Sequence, residues 1–495
     1  MKVLGVTMSC AMIVSGLAAC GGSSAGTSSA ASHAASAAST AAAAASTAAK
    51  STASTQKAAG TEKTSGTQKA AGTGKAVEIS FWHHMEGANA KALETVCTNF
   101  NQTTGAKYGI HVTPSFQGTD TAGKLNTLAQ AGDFGNFPDV CQVASAGIPA
   151  ISGYGIFVSS EDMYAKGNDI ILKKDAIIPN NARTFTYKGK LCAMPFSNST
   201  ILLYYNKNLF KNAGLDPQNP PATLDELASA VQKLTVKNGS DVTTYGLNVE
   251  VKRYQLVNWV GGEGNYNFLG DNEGGRTGLM SKLTIGDDGS LMKFLDAWEK
   301  VIATGGYKPV EDNINEEFAM GINAMAIMSS ARIAKIQELV GDSFEWGTAP
   351  LPKVSADDKG GTAVGGSGVV IFDKKNADEL RASWIFQQYL GGEDAQYDFC
   401  TASGYIPMNK DLYNSDRMKE YLKKNDKMVA AVNQLMTSNP NVQEPFDIVT
   451  GDINSIIDEE MRAFAQGERT KQATHDNIVS RCNEKLQAYV SVNKK

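Results

Sequence analysis

The sequence has no C-x-x-C pair among its seven cysteines, which excludes a zinc knuckle and a dithiol redox centre. Histidine is scarce as well. Of the five, only His83 and His84 adjoin, and on a strand neighbours point to opposite faces, so no metal site is expected. From residue 76 onward there is no G-x-S-x-G elbow, no H-E-x-x-H pair and no nucleotide-binding glycine loop. Asp458, Glu459 and Glu460 are consecutive and face different sides of a helix, unlike the opposed carboxylates of a glycosidase. No catalytic residue, cofactor or enzymatic activity is therefore expected. A basic excess is also missing. Six of the 46 basic residues and one of the 51 acidic ones lie in the first 75 positions, so the remainder carries a net charge of −10. That balance argues against a nucleic-acid partner. No apolar run after Leu17 approaches the roughly 20 residues that span a bilayer.

What is present begins at the N-terminus. Lys2 precedes a mostly apolar stretch, Val3–Leu17, too short to span and suited to a secretory signal. It ends in Leu17-Ala18-Ala19-Cys20-Gly21-Gly22, which resembles the lipobox of bacterial lipoproteins. The resemblance implies a signal peptide over residues 1–19, cleavage before Cys20 and lipidation of its sulfur. Two acyl chains of the palmitate type hold a protein stably, where one does not. The mature chain is thus expected outside the cytoplasm, held to the cell membrane by lipid alone. Residues 20–75 follow as an Ala/Ser/Thr-rich tether without an aromatic side chain; TQKAAGT occurs twice, at Thr55–Thr61 and Thr67–Thr73. Such a segment buries too little apolar surface to order itself, and its end-to-end distance is about 40 Å. Cys97, Cys141, Cys192, Cys400 and Cys482 remain, an odd and widely spaced set. They read as small buried hydrophobes, with one disulfide left open.

Residues 76–495 are long enough for two lobes or one large domain. Val77–Trp82 reads as a buried strand. Leu93, Val96, Cys97 and Phe100 then mark one helix face. Ile110, Val112, Pro114 and Phe116 alternate as a strand does. A short helix over 124–131 and a strand over 138–143 follow. A second unit opens with a strand at Thr200–Tyr205 and a short helix over 206–212. Thr223 and Glu226 form a capping box, and Leu224, Leu227, Val231 and Leu234 form the stripe behind it. Further helices are predicted over 289–303, 377–390 and 452–466. Strands alternating with helices imply an α/β fold.

Several segments carry a resemblance: Phe81–Gly87 (FWHHMEG), Pro195–Thr200 (PFSNST), Leu203–Lys207 (LYYNK), Ala213–Pro217 (AGLDP), Ala324-Met325 and Ser403–Pro407 (SGYIP). In order and spacing they resemble the extracellular solute-binding proteins of ABC importers, the large sugar-binding class, and within it the glycerol-3-phosphate-binding subgroup. The resemblance covers nearly all of residues 77–490. It implies a two-lobed periplasmic-binding-protein-like α/β fold with a hinge and an interlobe ligand cleft. Lobe 1 is expected over about 76–185 plus 327–385, and lobe 2 over about 186–326 plus 386–495.

Carried over residue by residue, Ser199, Ser329, Gly366 and Tyr405 match the family's ligand-binding positions. Asp120 and Ser145 stand where the family has a tyrosine and a glutamate. The arginine expected after Pro445-Phe446 is missing, since Asp447–Ser455 holds no basic residue but does hold Asp447 and Asp452. A phosphate monoester wants a bidentate guanidinium, and unpaired carboxylates would repel it. The expected ligand is therefore a neutral carbohydrate, delivered to ABC permease subunits by a monomeric binding protein. A glycerol-3-phosphate or glycerophosphodiester binder is the alternative, as is a sugar receptor without a transport role. Trp259 either stacks on the sugar or belongs to the core. His83, His84 and Glu86 lie just past a strand end, where α/β lobes bind ligands, and His83 and Glu86 are included in the expected site. Ser199 and Ser329 could also serve as local caps.

Overall fold

The structure is a computed structural model that describes residues 75–265 and 269–493. The expected signal peptide, Cys20 and all but the last residue of the tether lie outside the described residues.

Two large sheets organise the chain. Their strands are β1 (Val77–His83), β2 (Ile110–Phe116), β3 (Val140–Ala144), β4 (Phe157–Val158), β5 (Met194–Ser199), β6 (Ile201–Asn206), β7 (Leu247–Asn248), β8 (Tyr307–Lys308), β9 (Met325–Ser329), β10 (Trp346–Pro350) and β11 (Gly365–Phe372). The first sheet runs β2-β1-β3-β11-β4, with β5 also paired to β11. Its β1 is parallel to β2 and β3, whereas β11 is antiparallel to its neighbours. The second sheet runs β8-β7-β9-β6-β10, with β6 antiparallel to both β9 and β10.

Local sequence explains much of this. In β1 the side chains of Ile79, Phe81 and His83 are buried in alternation, the period of two that a half-covered strand requires. Helix Gly87–Gln102 buries Leu93, Val96, Cys97 and Phe100 in the same core, and full burial of each apolar side chain contributes about 1.5–3 kcal/mol. The predicted alternation of β2 holds for Ile110 and Val112, but Phe116 is 48 % exposed. β2 is the sheet edge, so its far end has a neighbour on one side only. Within β6 the alternation separates two cores. Ile201, Leu203 and Tyr205 join the cluster containing Trp259 and Trp298. Leu202 and Tyr204 join the cluster around Phe318 and Trp346. At the predicted capping box, Thr223 Oγ accepts from Glu226 N–H at 3.2 Å, but the Glu226 carboxylate turns back to Ala222 N–H, one residue further out.

The chain passes between the sheets wherever strand pairing dictates. β5 leads into β6 through Thr200 alone. Of residues 327–385, assigned by resemblance to the first lobe, β9 and β10 pair with β6 in the second sheet, and only β11 returns to the first. Of residues 386–495, assigned to the second, Leu390, Phe399 and Cys400 pack into the first sheet's core. Helix Thr450–Ala465 buries Ile453, Ile456, Ile457 and Phe464 in the second sheet's core. Cys97, Cys141, Cys192, Cys400 and Cys482 are all buried free thiols. Among the described residues no helix is long and apolar enough to cross a membrane.

Candidate ligand site

The passage from β5 to β6 gathers the candidate residues. β11 runs antiparallel beside β5, setting Gly365 opposite Ser199, Gly366 opposite Asn198 and Ser367 opposite Ser197. On its other side Ser367 stands opposite Ala144, which brings Ser145, the next residue, to the same place. Ser329, the last residue of β9, pairs with Ile201. Ile406 N–H donates to Asn198 O at 2.7 Å, which carries Tyr405 alongside. Thus Ser145, Ser199, Ser329, Gly366 and Tyr405, separated by up to 260 positions, meet where the chain changes sheet.

Each has a local reason for its form. Gly366 has φ +102, and a Cβ there would lie 1.9 Å from Ser197 O, so only glycine fits. Ser329 Oγ accepts from Ala331 N–H at 3.3 Å, a cap for the following turn. The neighbouring Ser330 clamps Thr200, donating its N–H to Thr200 O at 2.7 Å and accepting Thr200 N–H on Oγ at 3.2 Å. Tyr405 stacks on Phe399 with ring centroids 5.5 Å apart, and burial raises its phenol pKa.

The histidine pair divides as strand alternation demands. His83 is 4 % exposed, lies against Phe81 and Phe116, and accepts Met85 N–H on Nδ1 at 3.3 Å. His84 is the one that faces the site. Its Nε2 lies 3.0 Å from Ser367 Oγ and its Nδ1 3.5 Å from Thr121 Oγ1. Burial, aided by His83 and opposed by Asp120, lowers its pKa to about 4, so the ring is neutral at neutral pH. Asp120 itself is exposed and caps helix Thr121–Gln130 by accepting Gly123 N–H at 2.8 Å. Glu86 is exposed at the start of helix Gly87–Gln102 and makes no capping bond.

Trp259 is not brought to this group. It is 1 % exposed, packs on Phe294 and Trp298 with centroids 5.0 Å away, and donates its indole N–H to Pro352 O at 3.0 Å. Of the two readings left open, core packing is the one its surroundings match. It borders a cavity of about 230 Å³ lined also by Pro352, Thr362 and Ser438.

The loop after Gln443 departs from expectation. Its carboxylates are not unpaired. Arg253 Nε binds Asp447 at 2.7 Å, Nη1 binds Glu444 at 3.1 Å, and Nη2 donates to Pro445 O at 2.7 Å. Burial opposes the charge on Arg253, but Asp447 and Glu444 outweigh it and raise its pKa. Arg276 donates to Glu444 O at 2.6 Å and lies over the Phe446 ring at 4.2 Å. Burial, with Arg183 nearby, lowers its pKa to about 9. Asp452 faces Lys485 at 3.2 Å. Sequence reading missed both arginines because they stand some 170–190 positions before this loop, with no local signal. Among the described residues no group of acidic, histidine or cysteine side chains is disposed to hold a metal.

Two sheets joined by crossing strands, with hydroxyls and glycine backbone gathered at the crossing, define a protein that takes a small solute between lobes. Residues 95–426 match the bacterial extracellular solute-binding protein family, and the chain belongs to it. It is an extracytoplasmic binding protein of the kind that serves ABC importers. The sn-glycerol-3-phosphate-binding periplasmic protein UgpB of Salmonella typhimurium is 27 % identical over 428 residues, covering 84 % of this chain and 94 % of that one. Its counterpart in Yersinia pseudotuberculosis is 25 % identical over 424 residues, with the same coverage. The fold is shared with solved structures of other binding proteins. The cyclic alpha-maltosyl-1,6-maltose binding protein of Arthrobacter globiformis has a TM-score of 0.68 at 21 % identity, over 83 % of this chain and 100 % of that one. The sugar-binding protein MalE of Xanthomonas citri has a TM-score of 0.68 at 20 % identity, over 85 % and 100 %. UgpB of Mycobacterium tuberculosis, solved with glycerophosphocholine, has a TM-score of 0.67 at 19 % identity, over 86 % and 100 %.

Proposed function

We propose that this chain captures a neutral carbohydrate at the crossing of its two sheets and delivers it to an ABC permease. One observation carries the choice of ligand: Arg253, the guanidinium bound at the loop after Gln443, is already neutralised by Asp447 and Glu444. That loop's charge is satisfied within the protein, whereas a phosphate would need donors of its own. The remaining groups, Ser145, Ser199, Ser329, Tyr405 and neutral His84, exchange hydrogen bonds with ligand hydroxyls. His83, Glu86, Asp120 and Gly366 complete the site as neighbours that shape it, and Trp259 supports the second lobe from within its core. The names of the Arthrobacter and Xanthomonas structures point to sugars.

A second reading, glycerol 3-phosphate or a glycerophosphodiester, is favoured by the names of the Salmonella and Yersinia relatives and by the ligand of the Mycobacterium structure. Arg276, which donates to Glu444 O of the same loop, is the cation that would serve it. Calorimetry with mono-, di- and oligosaccharides beside sn-glycerol 3-phosphate and glycerophosphocholine separates the two. Tight binding of a phosphate compound with no sugar response would remove the carbohydrate reading.

The anchor belongs to the same proposal: signal removal before Cys20, two acyl chains on the mature N-terminus and a tether to residue 75, with the mature protein a monomer. Cys20→Ser is expected to abolish fatty-acid labelling and release the protein from membranes; retention and labelling of the variant would remove the anchor.

A further inference from the structure

Two strand crossings carry the chain between the sheets at the candidate site. One is Thr200, between β5 and β6, and the other is residues 351–364, between β10 and β11. Gln434, near the end of helix Asp426–Thr437, holds both. Its Nε2 donates to Thr200 Oγ1 at 2.8 Å and to Ile201 O at 2.7 Å, at the first crossing. Its Oε1 accepts Leu351 N–H at 2.8 Å, at the second. One amide thus spends both hydrogens and its oxygen on segments distant in sequence.

The hydroxyls around it close a ring. Ser438 has a single hydroxyl hydrogen, donated to Gln434 O at 2.6 Å, and its Oγ accepts Thr362 N–H at 2.9 Å. Thr362 Oγ1 lies 3.4 Å from Ser438 Oγ and 3.0 Å from Thr200 Oγ1. With the Ser438 hydrogen committed, the Thr362 hydroxyl donates to Ser438 and the Thr200 hydroxyl to Thr362. The bonds run one way, from the Gln434 amide through Thr200, Thr362 and Ser438 back to the Gln434 carbonyl. All four residues are buried. A buried polar network with every hydrogen placed is rigid, and each bond strengthens the next. The ring adjoins the candidate ligand groups without being among them. Thr200 follows Ser199 and donates its N–H to Ser330, the neighbour of Ser329. Thr362 lies just before Gly365 and Gly366.

We propose that Gln434 is a positioning residue: through this ring it couples the two crossings into one hinge, so that Thr200 and Thr362 flex together and the lobes turn as units. It acts through Thr200 and Leu351 and touches no ligand. The inference rests on the two-lobed fold and not on which solute is bound.

The test is the interlobe distance distribution of the ligand-free full chain, from double electron–electron resonance between spin labels at Lys91→Cys and Lys233→Cys. Both positions are exposed, one on helix Gly87–Gln102 and the other on helix Leu224–Leu234. Cys10→Ser and Cys20→Ser complete the background, in which the other five thiols are buried. Gln434→Met, Thr362→Val and Gln396→Met are each compared with this background, with a thermal melt of each. Gln396 is a matched control: its amide donates to Phe196 O and Leu390 O at 3.3 and 2.8 Å and accepts Met408 N–H at 2.8 Å, all in the first lobe's core. The expected result is a broader distribution in Gln434→Met and Thr362→Val and an unchanged width in Gln396→Met, although all three melt lower. Thr362→Val keeps the backbone bond to Ser438, and its width decides if Gln434→Met does not fold. Unchanged widths in both ring variants, with lowered melting temperatures, show a merely stabilising ring and overturn the inference. Equal broadening in Gln396→Met shows general softening and also overturns it.

Discussion

Arg253 Nε and Asp447 Oδ2 lie 2.7 Å apart across 194 positions of sequence, both side chains nearly sealed from solvent. The pair joins the start of helix Arg253–Val260 to the loop carrying Phe446, which itself packs into the first lobe's core. Through it, a residue of the second lobe fixes a segment that touches the first.

Breaking this pair from one side leaves an uncompensated buried charge. Arg253→Met is expected to destabilise the protein by about 3–5 kcal/mol. The double variant Arg253→Met/Asp447→Leu should recover part of that loss, because the fully buried Asp447 carboxylate is then gone and only the partly exposed Glu444 loses its partner. Denaturant titrations of the singles and the double, read as a mutant cycle, measure this; equal destabilisation of single and double would contradict it.

Gly366→Ala should be poorly tolerated. The left-handed φ costs about 1–3 kcal/mol for a residue with a Cβ, and the 1.9 Å approach to Ser197 O adds a clash with main chain. Reduced yield, a lower melting temperature and weaker ligand binding are expected together. A variant that melts and binds like wild type would show that the crossing is less tightly built.

His84 gives a pH dependence of definite sign. Its folded pKa is lowered to about 4 by burial, with His83 adding to the effect, against about 6.5 when unfolded. The unfolded chain therefore takes up the proton first. Stability from this residue is complete above about pH 6.5 and is lost as pH falls toward 4. His84→Gln should flatten the melting-temperature profile in that window, and an unaltered slope would count against the assignment.

Glu263 works in the opposite direction. It shares Lys293 with Asp358, at 3.3 and 3.2 Å, and both carboxylates are 3 % exposed. Burial, partly offset by Lys293 and reinforced by Asp358 and Asp288, raises its pKa to about 7. The folded state holds this proton more tightly, so its contribution is complete below about pH 4.5 and is lost as pH rises through 7. Glu263→Gln should gain relative stability at pH 8, with little change at pH 5. Melts of the variant and wild type at those two pH values decide it.

Much of the local structure was legible in the sequence. Helix Ala377–Leu390 has the predicted bounds, and the buried faces of Leu93–Phe100 and Ile453–Phe464 follow from spacing. These are properties of a few consecutive residues: a 3.6 or 2.0 period, a cap, a glycine. Trp259 shows the limit. Its neighbours alone were consistent with a ligand platform or a core, and only the positions of Phe294 and Trp298, some 35–40 residues away, separate the two.

By itself the sequence determined the α/β character, the lack of a metal or nucleotide motif, and the resemblance to a solute-binding family. All three depend on residue type and short-range order. The tertiary structure alone decided which of His83 and His84 faces the crossing, where the chain changes sheet, and that Asp447 is answered by Arg253. It also brought Gln434 to Thr200. Each is a meeting of distant segments, set by strand pairing and by the need to satisfy buried charge. No local pattern records such a meeting before the chain has folded.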